Sequence, residues 1–284
     1  MTILVSLNGG IGNLLFQICA ARQLSNSGRE VRLLERTAGL YERAQQYIGD
    51  IELRRASSID SYIYSDQLEN GSVSHSRFVR LLARGVRLVS TQTTAFDEVR
   101  PDRLKRRSRF LDGYFQHPSW YSSEVSRVTE QLRLNRPSDL PESLNGVAGI
   151  HIRRSDYVRL GWELPNSFYR EVSARIGDCS EISSAIVASD DQLVEELFSE
   201  RLRSTGLNVI DKAQFGAPGA RRDFYLLSAS EQFFMSNSTF SWWSAKLHQQ
   251  SRSHKDGQIH CPEPWLPSGR GSHLIDATWD AIHL

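Results

Sequence analysis

The stretch Val147-Ala148-Gly149-Ile150-His151-Ile152-Arg153-Arg154-Ser155-Asp156 runs from an uninterrupted apolar segment straight into two adjacent guanidiniums. A short apolar run closed by polar residues reads as a buried strand about to end, of the kind found inside parallel sheets. Ligands of such sheets gather at the carboxyl ends of the strands, and two planar donor forks there suit a phosphate or pyrophosphate. Alternation along an extended backbone puts His151 and Arg153 on one side and Ile152 and Arg154 on the other, so the arginines have different jobs. Arg153 is the candidate anion contact. The same residues also fit a plain surface turn whose aspartate pairs with its own arginine, and the stretch alone is open to both readings.

Working outward, the order strand, loop, helix repeats. Strands are predicted over residues 147–152, 184–189, 207–210, 232–235 and 258–261, with helices near 167–176, from Asp190-Asp191 to about 199, 223–229 and 240–249. Alternating β and α units imply a parallel sheet covered by helices on both faces. Upstream, residues 3–7 read as a buried strand, Asn8-Gly9-Gly10-Ile11-Gly12 as a glycine turn, and Asn13 onward as a helix with Leu14, Ile18 and Ala21 on one face. Such a turn lets the backbone approach a ligand and aims free amides at it. It lacks the third glycine of the dinucleotide fingerprint, because position 15 is Leu15; a tight βα connection alone would also account for it. Residues 111–116 read as a strand and 118–132 as one helix. Asn135-Arg136-Pro137-Ser138-Asp139-Leu140-Pro141 has linker composition. The domains are therefore placed at 1–138 and 139–284.

With 284 residues, 39% hydrophobic and 24% charged, the chain has the makings of an ordinary two-domain globular protein. A net charge of +1 gives no general field for nucleic acid or anionic membrane. Arg100, Arg103, Lys105, Arg106, Arg107 and Arg109 form a local basic run, read as a solvated face. Three scattered cysteines, Cys19, Cys179 and Cys261, lack metal-ligand spacing and point to reduced thiols. No metal site is expected. Neither a signal peptide nor a transmembrane run is legible, so the expected location is cytoplasmic, which leaves peripheral membrane contact open.

Three strand ends carry polar clusters in register: His151 to Asp156, Ser189-Asp190-Asp191 and Ser236-Asn237-Ser238-Thr239. Capping of the following helix explains one aspartate, and Ser238 or Thr239, just as well as ligand contact does. Both roles are compatible, since a helix start that wants a cap also attracts an anion. Phe240, Trp242 and Trp243 follow at once and are read mainly as core.

Taken together, these residues resemble the α-1,2-fucosyltransferases of glycosyltransferase family 11. His151-Ile-Arg-Arg-Ser-Asp156 matches that family's His-x-Arg-Arg-x-Asp signature, and Gly10-Ile-Gly-Asn-Leu-Leu-Phe-Gln17 resembles its N-terminal motif. Gly113-Tyr-Phe-Gln116, Ser189-Asp-Asp191, Ser236-Asn-Ser-Thr-Phe-Ser-Trp-Trp243 and Pro262-Glu-Pro-Trp265 follow in family order. The resemblance implies a GT-B α/β architecture: two Rossmann-like domains facing across a cleft, acceptor side first and donor side second. It implies GDP-fucose as donor substrate, a glycan or glycosylated small molecule as acceptor, no cofactor, no nucleic acid, and inversion without a metal. It gives Arg153 the donor pyrophosphate, Asp223 the guanine, and Ser238 or Thr239 the phosphates. Gly10, Gly12, Arg154, Asp190 and Asp191 complete the implied donor set. Asn13, His151 and Asp156 join Arg153 as implied catalytic residues, Asn13 reaching the centre when the cleft closes. Arg154 is expected to brace the loop through Asp156. Candidates for the general base are Asp156, Glu163, His117 and His151.

Two positions depart from the family pattern. Leu14 stands where glutamine is usual and Cys19 where tyrosine is frequent, and the lost amide is expected to alter which sugar is transferred. Another nucleotide sugar on the same fold, and a catalytically idle nucleotide-binding subunit, are the alternative readings.

Overall fold

The computed structural model describes residues 2–57, 90–92, 101, 104, 110–251 and 258–284. The basic side chains of the 100–109 run lie outside the described residues. The chain divides into two compact units, Met1–Gln131 and Leu132–Leu284.

The first unit is built on a parallel sheet of order β3-β2-β1-β5-β4. Its strands are β1 (Ile3–Leu7), β2 (Val31–Glu35), β3 (Arg54–Arg55), β4 (Ser90–Gln92) and β5 (Phe110–Asp112). All five residues of central β1 are buried, as expected of a strand covered on both faces. Helix α1 (Ile11–Asn26) leads from β1 to β2, and α2 (Leu40–Ile48) follows β2. Its apolar surface is wider than the single face of Leu14, Ile18 and Ala21, for Leu15, Phe16, Cys19, Ala20 and Leu24 are buried too. Leu14 and Cys19 are fully buried in this core. The single helix expected over 118–132 is two, α3 (Pro118–Tyr121) and α4 (Val125–Leu134). They part at Ser122 and Ser123, where Glu124 turns inward to accept a hydrogen bond from Asn26 Nδ2 at 2.8 Å.

The second unit has strands β6 (Leu144–Ile152), β7 (Ser184–Ser189), β8 (Asn208–Val209), β9 (Ser230–Phe234), β10 (Ile259–Glu263) and β11 (Asp280–His283), all parallel. They lie in the order β11-β10-β9-β6-β7-β8. Read from β8, this is the 3-2-1-4-5-6 arrangement of a Rossmann sheet, with the reversal between β6 and β9. Helices α5 (Ser155–Leu160), α6 (Asn166–Asp178), α7 (Gln192–Ser204), α8 (Ala220–Ala229) and α9 (Thr239–Ser251) connect the strands. Right-handed crossovers place the helices between β6 and β8 on one face and those after β9 on the other. The expected α/β class with two Rossmann-like halves is thus what the chain forms. Trp242 and Trp243 are buried, and Trp242 Nε1 donates to Leu274 O at 2.7 Å, so these two do belong to the core. Strand β11 escaped the sequence reading because Asp280-Ala281-Ile282-His283 has no apolar run and is defined by pairing with β10. Among the described residues no helix is long and apolar enough to cross a membrane.

Gly149 sits mid-strand in β6, where a Cβ would lie 2.6 Å from Ser230 Oγ and 3.3 Å from Leu227 Cδ2. The α8–β9 corner therefore packs directly onto bare backbone. Replacing Gly149 with valine is expected to destabilise the fold by about 1–3 kcal/mol, the scale of overpacking a filled core. Urea unfolding would read this as a lower midpoint, and an unchanged midpoint would refute the close packing.

Candidate functional site

At the end of β6 the backbone turns His151 inward, and the ring bridges to the next strand of the reversal. Its Nδ1 lies 2.8 Å from Ser236 Oγ and 2.5 Å from Ser241 Oγ, joining β6 to the β9–α9 corner. Ser236 N also donates to Ser241 Oγ at 3.3 Å. Phe240 covers the ring with centroids 5.0 Å apart. Burial, reinforced by the positive charges of Arg153 and Lys212, pulls the imidazole down to about 3, so it is neutral near pH 7. A neutral ring with Nδ1 already engaged is a poor proton acceptor.

Arg153, just above, is partly open to solvent. Its guanidinium pairs with Asp156 and, at 2.8 Å, with Asp190, and it lies over the Tyr157 ring at 5.2 Å. The aspartate of the signature thus holds Arg153, and the expected Arg154–Asp156 brace is replaced. Arg154 contributes its backbone instead, its N–H donating to Asp190 Oδ1 at 2.7 Å. Asp190 orients both arginines, while Asp191 caps α7 by accepting from Val194 N at 3.3 Å. Ser238 accepts from Phe240 N at 3.2 Å, and Thr239 opens α9. Tyr157 donates to Asn237 O at 3.2 Å, and Asn237 Nδ2 to Trp162 O at 2.7 Å, which ties the segment after the arginines to the same corner. Burial pushes the Tyr157 phenol up to about 12.

Asp223 stands in the first turn of α8, with Lys212 Nζ 3.1 Å from Oδ2 and Arg222 Nε 3.1 Å from Oδ1. The structure therefore brings Arg153, Arg154, His151, Asp156, Asp190, Ser238 and Thr239 to the β6/β9 reversal, and Asp223 to the region after β8.

The first unit has its own strand-end cluster. Gly9 takes φ +82° and Gly10 precedes α1 with open space where a Cβ would stand; Gly12 is buried in the first turn. Gln17 clamps this loop: its Oε1 accepts from Asn8 N at 3.0 Å and its Nε2 donates to Gly113 O at 2.9 Å. Asn13 Oδ1 accepts from Gln116 Nε2 at 3.1 Å. Asn8 Nδ2 reaches Asp112 Oδ1 at 3.4 Å, and Asp112 also pairs with Arg36. His117 Nδ1 accepts from Ser119 N at 3.3 Å, so it caps α3. Among the described residues no group of three or more His, Cys, Asp or Glu side chains could hold a metal ion.

Sequence reasoning assigned no role to Ser241 or Gln17, although both stand in the motifs above, and none to Tyr157. Ser241 carried a faint signal, a hydroxyl inside the aromatic run that opens α9. The other two are set by contacts distant in sequence.

In α/β sheets of 3-2-1-4-5-6 order, ligands bind outside the carboxyl ends of the strands at the reversal, which is where Arg153 stands in this chain. No protein-family model matches the chain. It is 26% identical over 189 residues to the O-antigen biosynthesis glycosyltransferase WbnK of Escherichia coli. That alignment spans 60% of this chain and 59% of the relative's length. Among solved structures, the E. coli heptosyltransferase WaaC with ADP is similar at TM-score 0.47 and 11% identity, over 100% of this chain and 93% of that one. Fucosyltransferase NodZ from Bradyrhizobium is similar at TM-score 0.39 and 14% identity, over 86% and 91%. POFUT1 in complex with GDP-fucose is similar at 0.41 and 11%, over 91% and 97%.

The buried imidazole makes stability depend on pH. Its folded pKa lies below the ordinary value near ~6.5, so between the two the unfolded chain binds the extra proton. The contribution is full above about pH 6.5 and is lost as pH falls toward the folded value, by up to ~1.4 kcal/mol per pH unit. Urea unfolding between pH 7 and 5 should show a shallower acid loss in His151→Gln than in wild type. Parallel slopes would contradict a buried neutral histidine.

Proposed function

We propose that the chain is an inverting glycosyltransferase that moves L-fucose from GDP-fucose onto a sugar hydroxyl, in α-1,2 linkage. The observation that carries this reading is Arg153, held by two aspartates above the His151–Ser236–Ser241 floor at the reversal of a 3-2-1-4-5-6 sheet. The family motifs, and the likeness to an O-antigen glycosyltransferase over 60% of the chain, supply the reaction class.

In the proposed reaction the acceptor oxygen forms a bond to the anomeric carbon from the face opposite GDP. The bond from that carbon to the β-phosphate oxygen breaks, its electron pair leaves with GDP, and the hydroxyl proton passes to a base. Negative charge grows on the β-phosphate. Arg153 and the amides opening α9 would stabilise it, and such preorganised donors are usually the largest catalytic contribution. The arginine takes the part that a divalent ion plays in metal-dependent enzymes. For the base, engagement of His151 and pairing of Asp156 with Arg153 leave Glu163 and His117 as the candidates.

Arg153→Ala is expected to lower turnover of labelled GDP-fucose by ~100-fold or more, the scale of removing one preorganised donor. Near-normal turnover in a folded variant would sink the assignment. GDP at 100 times its Kd should stabilise the protein by about 2.7 kcal/mol in thermal melts, with UDP and dTDP giving much less. Selective stabilisation by UDP or dTDP would move the reading to another nucleotide sugar.

A further inference from the structure

A second charged cluster lies beside the arginines, at the carboxyl ends of β7 and β8. Ser189 N, ending β7, donates to Glu195 Oε2 at 2.8 Å. Glu195 Oε1 pairs with Lys212 Nζ at 2.8 Å, and Lys212 pairs in turn with Asp223. Arg222 closes the row, with Nε on Asp223 Oδ1 and Nη1 donating to Gly216 O at 3.3 Å. The side chains of Lys212 and Arg222 keep only 10% and 11% of their exposure, and that of Asp223 keeps 16%. Burying four charges brings little stability, because desolvation offsets most of the attraction. What such a row does provide is aim.

In a sheet of this order the nucleoside lies toward the second and third strands when the phosphates sit at the reversal. Here those strands are β7 and β8. A carboxylate presented there matches guanine, which offers an N1–H and an N2 amino group side by side. It does not match adenine, whose ring N1 is an acceptor, or uracil, which offers a single N–H. Each oxygen of Asp223 has two acceptor sites and spends one on a cation, so a pair remains for a base.

We infer that Lys212, anchored by Glu195, is a positioning residue for base selection, fixing Asp223 so that it reads the donor edge of guanine. This rests on the GDP-donor reading above and adds Lys212 and Glu195 to it. Arg222 holds one carboxylate oxygen and Lys212 the other; without Lys212 the carboxylate can turn about its own bond and lose the two-point contact.

The test compares the affinity of the full chain for GDP and inosine diphosphate, which lacks only the exocyclic amino group. Wild type should prefer GDP by about 10- to 100-fold, the worth of one hydrogen bond to a charged group. Lys212→Met should bring the two affinities within about threefold while weakening inosine diphosphate far less than GDP, and Glu195→Gln should lower the ratio part of the way. Lys212→Arg should restore most of it. Equal weakening of both nucleotides in folded Lys212→Met, or an unchanged ratio, would show a structural role only and overturn the proposal. Wild type that binds GDP without preference would overturn it too, leaving the donor reading standing. Wild type that binds neither nucleotide would overturn both.

Discussion

One buried, uncharged imidazole governs the edge of the second unit where β6 and β9 end. Neighbouring strands β6 and β9 send their chains away in opposite senses, which opens a crevice between their carboxyl ends. His151 closes its floor by hydrogen bonding to Ser236 and Ser241, on the far side of that opening. A charged ring would be repelled by Arg153 and Lys212 and starved of water. Because the ring is neutral, the positive charge of this end stays on side chains that can reach a ligand.

Arg153 reconciles the two sequence readings of its segment. The turn in which an aspartate pairs with its own arginine is present, and the same pair would hold the arginine in place for the anion proposed above. Partly exposed ion pairs contribute about 0–1 kcal/mol each, so exchanging one carboxylate for a phosphate costs little. Charge-assisted, bidentate contacts to a phosphate are stronger than the pair they would displace. Asp190 holds Arg153 through one oxygen and the Arg154 backbone through the other, so the loop keeps its shape during such an exchange.

The sequence showed those parts of the fold that are made of local apolar runs. Strand β7 was placed to the residue, since Ala185 to Ala188 are buried and its ends are polar. Two-residue β3 is too short to carry a period, and β8 is only the middle of the strand predicted over 207–210. At the site, Arg153 and Asp190 were legible from their strand-end positions. Which arginine Asp156 holds was not, because pairing is decided by side-chain reach: Asp156 satisfies Arg153, three residues away, and leaves Arg154 to the backbone of the turn. The Lys212–Glu195 link was hidden for the same reason, joining the start of α7 to the loop after β8.

The two strand-end clusters also differ in chemistry. That of the first unit is made largely of amides: Asn8, Asn13, Gln17 and Gln116 bond to one another's neighbourhood, and the charge of Asp112 is matched by Arg36. Amides donate and accept at once, which suits groups that do the same, above all sugar hydroxyls. That of the second unit concentrates guanidinium and ammonium groups aimed by carboxylates, which suits an anion carrying a planar base. The transfer proposed above would require both kinds of partner, and their different demands on charge are easier to meet on two sheets than on one. On that proposal, the division would be a physical reason for a chain to carry the strand-and-helix unit twice.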